Sequence, residues 1–103
     1  MTDEVKLAGE RERGFAAQQL MENSVYKGAV AKIREGIHAK WAASPIRDVE
    51  GQTQLRIMLK LLDELEANIK SVALTGKMAA QQIEHARTLK EKAKGFVDSL
   101  IGK

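Results

Sequence analysis

Glu35-Gly36-Ile37-His38 is the segment of this chain closest to a reactive constellation. A carboxylate and an imidazole three residues apart share one side of a helix, and di-iron bundles use that pairing to hold metal. Such a site needs the pairing twice. The second histidine lies in Gln82-Ile83-Glu84-His85, with glutamine where the second carboxylate would stand. At about 100° per residue, Glu35 also points about 150° away from the apolar stripe of its helix, toward solvent. No metal site and no cofactor are expected. Nucleophilic catalysis needs a nucleophile, a base and an orienting group that converge, and the hydroxyls of Ser24, Ser44, Ser71, Thr75 and Ser99 fall at helix caps or outer faces. Thr75-Gly76-Lys77 contains Gly-Lys but lacks the G-x-x-x-x-G-K-[ST] frame that cradles phosphates. There is no cysteine to act as thiolate or disulfide partner. The expectation is a protein that is not an enzyme, with no catalytic residues.

The elements that carry these residues are helical. Ala, Leu, Glu, Lys, Gln and Arg dominate the 103 residues, and no segment alternates with the period of two that marks a strand. The expected fold class is all-α, a single helical domain over 1–103: an antiparallel hairpin of two long helices, with a shorter N-terminal helix and a C-terminal helix, assembling as a bundle. No apolar run approaches the ~20 residues of a membrane span, and the first residues lack the apolar core of a signal peptide. The expectation is a soluble, intracellular protein with no membrane partner.

Helix one starts at a Thr2 or Asp3 cap and spaces Val5, Ala8, Phe15, Ala16 and Leu20 on one face. Glu22-Asn23-Ser24 reads as a break and a new cap. Helix two carries Tyr26, Val30, Ile33, Ile37 and Trp41 at steps of 4, 3, 4 and 4, one stripe on a 3.6-residue helix. Trp41, at its end, is expected to anchor the corner to helix three or to serve as an interface anchor. Gly28, Gly36, Ala39 and Ala43 lie away from that stripe and offer a surface that a second helix can approach closely. Ser44-Pro45 stops helix two, and the short turn predicts that helix three folds back antiparallel, starting near Ile46 or at an Asp48 cap.

Helix three presents Leu55, Met58, Leu62, Leu65, Ile69 and Val72 at steps of 3, 4, 3, 4 and 3. That strict alternation is a coiled-coil seam, which suits either the chain's own core or another copy. Leu59, Leu61 and Ala73 widen it. Gly76 is either a C-terminal cap or a point through which helix continues. The last stretch spaces Ala79, Ala86, Leu89, Ala93, Phe96, Val97 and Leu100 on one face and ends near Gly102.

Net charge alternates along the chain: −2 over 1–24, +4 over 25–47, −2 over 48–76 and +3 over 77–103. Lys27, Arg34 and His38 on helix two, and Arg87, Lys90 and Lys94 on the last helix, form basic stripes, candidates for contact with phosphate or an acidic partner. Glu84, Glu91 and Asp98 dilute the second stripe, and no aromatic interleaves with it for base stacking.

Met21-Glu22-Asn23-Ser24-Val25-Tyr26, Trp41-Ala-Ala-Ser-Pro, Arg47-Asp48 and the leucine-rich helix to Gly76 together resemble short helical proteins encoded in tailed-bacteriophage genomes, among head and packaging genes. The resemblance covers residues 15 to 80 and carries no functional residues across. It implies a phage origin and a part in particle assembly. Two functions follow as expectations. One is a non-enzymatic helical assembly protein whose partner is itself or a larger protein complex. The other is a small nucleic-acid- or nucleotide-binding regulator, or an anti-defence protein, acting through the basic stripes.

Overall fold

The structure, a computed structural model, describes residues 2–101; the Thr2 side chain and the helix end expected near Gly102 lie outside the described residues. Three helices make up the fold, α1 (Thr2–Glu22), α2 (Ser24–Ala43) and α3 (Val49–Ile101), and no strand occurs among the described residues. No described helix is long and apolar enough to cross a membrane.

The breaks have local causes. Asn23 alone separates α1 from α2, and its side-chain oxygen accepts from the Tyr26 amide at 2.9 Å, satisfying one orphan donor of the new helix. At the other end the Ser44 hydroxyl and amide both donate to the Trp41 carbonyl, at 2.7 and 3.1 Å, and extended backbone at Ser44 stops the helix before Pro45. Of the two starts expected for helix three, the structure takes the later. The Asp48 amide closes a turn onto the Pro45 carbonyl at 3.0 Å, while the Asp48 carboxylate caps the next helix by accepting from the Gly51 amide at 3.0 Å. α3 then runs without interruption through Gly76, where no glycine adopts a left-handed backbone. The stretch expected as a separate C-terminal helix is therefore the second half of α3.

The chain forms two compact units: α1 up to Ala16 with α3 from Val72, and residues Ala17–Ser71. In the first unit, α1 and α3 meet at two glycines. Both are buried, and a Cβ placed on either one would fall on the other's Cα. A side chain at Gly76 would also stand 2.8 Å from the Glu10 carbonyl oxygen. The backbones touch, and the surroundings are small as well, with Ala73 buried and Ala79 1% exposed. The crossing itself is glycine against glycine backbone, while Leu7 of α1 and Ile83 of α3 are half-buried elsewhere in this unit. It closes by proximity rather than by bulk, since many short-range contacts replace a few large ones.

The second unit holds the larger apolar groups. Ile37 is 3% exposed and Leu62 is buried, with Leu55, Leu59, Ile69, Tyr26, Val30 and Trp41 half-buried around them. Ile33, expected in the stripe of helix two, is 51% exposed. Half-buried Arg34 takes its place, because its long side chain reaches α3: one guanidinium nitrogen donates to Asp63 at 2.8 Å and the other to Glu66. The Arg56 guanidinium lies 5.8 Å above the centre of the Trp41 ring, a cation–π contact that ties the two sides of the turn together.

The seam expected on helix three divides. Leu55, Leu62 and Ile69 face inward, whereas Met58, Leu65 and Val72 are exposed. Their inward places go to Leu59, Glu66 and Ala73, one residue further along in each case. A heptad ridge can be completed by neighbours at i+3 or at i+4, and the Arg34 bridge to Glu66 selects the second. Ala73 serves the same ridge beside Gly76, where a larger residue could not stand.

Candidate interaction surface

The residues that could carry chemistry do not converge. Glu35 and His38 stand on one rim of a groove of about 440 Å³ in the second unit, whose walls include Met21, Tyr26, Val30 and Lys70. Among the described residues no three His, Cys, Asp or Glu side chains come together as a metal would require. His85 sits on the exposed surface of α3 in the other unit. The groove is lined by apolar groups and charged rims, and holds no nucleophile with a base beside it.

The Tyr26 hydroxyl is buried without a hydrogen-bond partner. A buried, unpaired hydroxyl costs about 1–3 kcal/mol of desolvation. Tyr26→Phe is therefore expected to raise stability by about 1 kcal/mol, read as a higher urea midpoint at unchanged slope. A fall in the midpoint would mean that the hydroxyl has a partner in solution.

Three of the five lysines and arginines of the expected stripes are engaged within the chain. Asp63 first, and then Glu66, hold the Arg34 guanidinium above its ordinary pKa by accepting its hydrogen bonds. Arg87 donates to Glu84 one turn back at 2.7 Å, and that carboxylate raises its pKa likewise. Lys90 approaches Glu4 of α1 at 3.6 Å. Lys27 and Lys94 are exposed. Lys27 and Arg34 share the groove of the second unit, while Arg87, Lys90 and Lys94 belong to the first. Gly28 and Gly36 face open space, and among the described residues nothing lies within 4 Å of a Cβ placed on either.

What stands out instead is apolar surface. In the second unit Ile33, Ile57, Met58, Leu61 and Leu65 are all exposed. In the first unit every residue of α3 from Leu89 to Ile101 is exposed, including Leu89, Leu100 and Phe96, the last at 67%. Single exposed apolar residues are ordinary, but rows of them on one helix side mark surfaces built to be covered. Sequence reasoning had named most of these residues without distinguishing those the chain covers itself. It had missed the Gly14 and Gly76 crossing. The available signal was two glycines inside strongly helical stretches, each costing about 1 kcal/mol against alanine unless packing requires it.

No family model, no characterised protein and no solved structure matches the chain.

Proposed function

We propose that this protein is a non-enzymatic helical assembly protein that associates with itself, or docks on a larger protein complex, through apolar helix faces. α2 and the first part of α3 serve as an antiparallel hairpin in a helical bundle completed by other chains. The observation that carries this reading is the imbalance between core and surface. Among the described residues no large side chain is fully buried, while apolar residues stand exposed along α3. The resemblance to short phage proteins supports reading the larger complex as a phage particle, in which the chain acts as a structural accessory.

The test is absolute mass by light scattering after size exclusion, over a wide concentration range. A fixed multiple of 11.4 kDa is expected. A well-folded monomer at the highest concentration would remove self-association.

A further inference from the structure

We infer that the side of the second unit carrying Ile33, Met58, Leu61 and Leu65 docks on the same side of a second copy of this chain, with α2 of each copy stacked antiparallel on α3 of the other and Leu61 seated at Gly36. The inference rests on the self-association just proposed and specifies its surface and register. Every residue it uses belongs to the second unit.

The pair formed by α2 and the first part of α3 has two sides. On one, Lys27, Arg34 and His38 of α2 stand with Glu66 and Lys70 of α3, and the Arg34 bridge crosses between them. On the other, Lys40 of α2 stands with Leu55 and Met58 of α3 around a hollow near the turn. At about 100° per residue, Ile33 and Gly36 share the Lys40 side of α2, while Leu61 and Leu65 share the Met58 side of α3. Ile33, Met58, Leu61 and Leu65 are all exposed there, and Lys40 bounds the apolar patch toward the turn. Gly36 lies among them, with nothing within 4 Å of a Cβ placed on it. Glycine weakens a helix interior relative to alanine, and no packing within the chain requires it at this position. A large side chain arriving from outside would.

Contacts within the chain set the register. Arg34 stands level with Asp63 and Trp41 level with Arg56, which puts Gly36 level with Leu61 and Ile33 level with Glu64. A two-fold axis parallel to the helices keeps those levels and lays α2 of one copy on α3 of the other, the neighbour arrangement of an antiparallel four-helix bundle. Leu61 then meets Gly36 of the second copy, a large knob against the smallest residue, as close packing requires. Ile33 and Leu65 of both copies close one apolar layer about the axis. Lys32 and Glu64 flank the patch on the outer edges of α2 and α3, and the same register brings Lys32 beside Glu64 of the second copy. Both are exposed, and among the described residues neither has an ion-pair partner of its own. Charge selects this arrangement. A two-fold axis across the helices would stack α2 on α2, setting Lys32 of one copy against Lys40 of the other and parting Lys32 from Glu64.

The chain has no native cysteine, so introduced thiols report on this geometry alone. Gly36→Cys and Leu61→Cys variants, each at an exposed position, are oxidised separately and as an equimolar mixture, beside the mass measurement. The expected result is a disulfide-linked dimer containing one of each variant in the mixture, and little link in either variant alone. Efficient linking of either variant to itself would mean that like helices stack, and would overturn the inference. A multiple of 11.4 kDa with no link between the two positions would overturn the inference while leaving self-association standing. A monomer would remove both. In a second readout, Lys32→Glu is expected to weaken the dimer about tenfold, and adding Glu64→Lys in the same chain to restore it. No weakening, or weakening without restoration, would overturn the charge register.

Discussion

Gly76→Ala is expected to destabilise the protein by about 2–3 kcal/mol, although the same change in an unobstructed helix stabilises by about 1 kcal/mol. The sign reverses because of what a Cβ would meet. At Gly76 it would fall on the Gly14 Cα and stand 2.8 Å from the Glu10 carbonyl oxygen, both backbone atoms of α1. A flexible side chain can swing aside, but a helix backbone moves only as a body. The crossing would then open, and Ala73 and Ala79 beside it would lose their cover. Gly95 supplies the control: it lies on the same helix with nothing within 4 Å, so Gly95→Ala is expected to gain about 0.5–1 kcal/mol. Urea unfolding of both variants, followed by circular dichroism, decides the matter. Equal stabilisation by the two alanines would mean that α1 does not approach α3 at Gly76.

The second large effect separates two isoleucines one helical turn apart. Ile37→Ala removes the most buried large side chain of the second unit, at 3% exposure, and is expected to cost about 2–4 kcal/mol through lost transfer energy and the cavity left behind. Ile33→Ala, at a half-exposed position, is expected to cost under about 1 kcal/mol in the same urea experiment. Comparable losses would restore Ile33 to the core and displace Arg34 from its bridge to Asp63 and Glu66. A large loss at Ile33 that appears only at high protein concentration would instead belong to an interface between copies, since association adds to apparent stability by mass action.

Both predictions turn on distinctions the sequence does not contain. Helix existence was legible, because the composition leaves no other regular structure and because Asn23, Ser44 and Asp48 are side chains that cap. The spacing of the stripe on helix two was legible too, and Tyr26, Val30, Ile37 and Trp41 all lie toward the interior. Which member of a neighbouring pair goes inward was not. Ile33 and Arg34 are adjacent, and hydropathy favours the isoleucine. The guanidinium won because two carboxylates on α3, 29 and 32 residues away in sequence, accept from it. The same non-local pairing shifted the inward ridge of α3 from Met58 and Leu65 to Leu59 and Glu66.

The candidate surface followed the same division. Of its residues, Met58 and Leu65 belong to the seam that the sequence shows, since a heptad is visible in any single helix. Whether that seam is covered depends on where other helices lie, and identical spacing serves a neighbour in the same chain or in another. At Gly76 the sequence left cap and continuation open, because glycine suits both. Tertiary structure decided for continuation by bringing Gly14 against it, a contact 62 residues apart in sequence. Local chemistry thus determined the helices, their caps and their stripes. Only the tertiary structure determined which stripe is spent inside the chain and which stays exposed, because burial is set by the meeting of two surfaces and each stretch of sequence describes one.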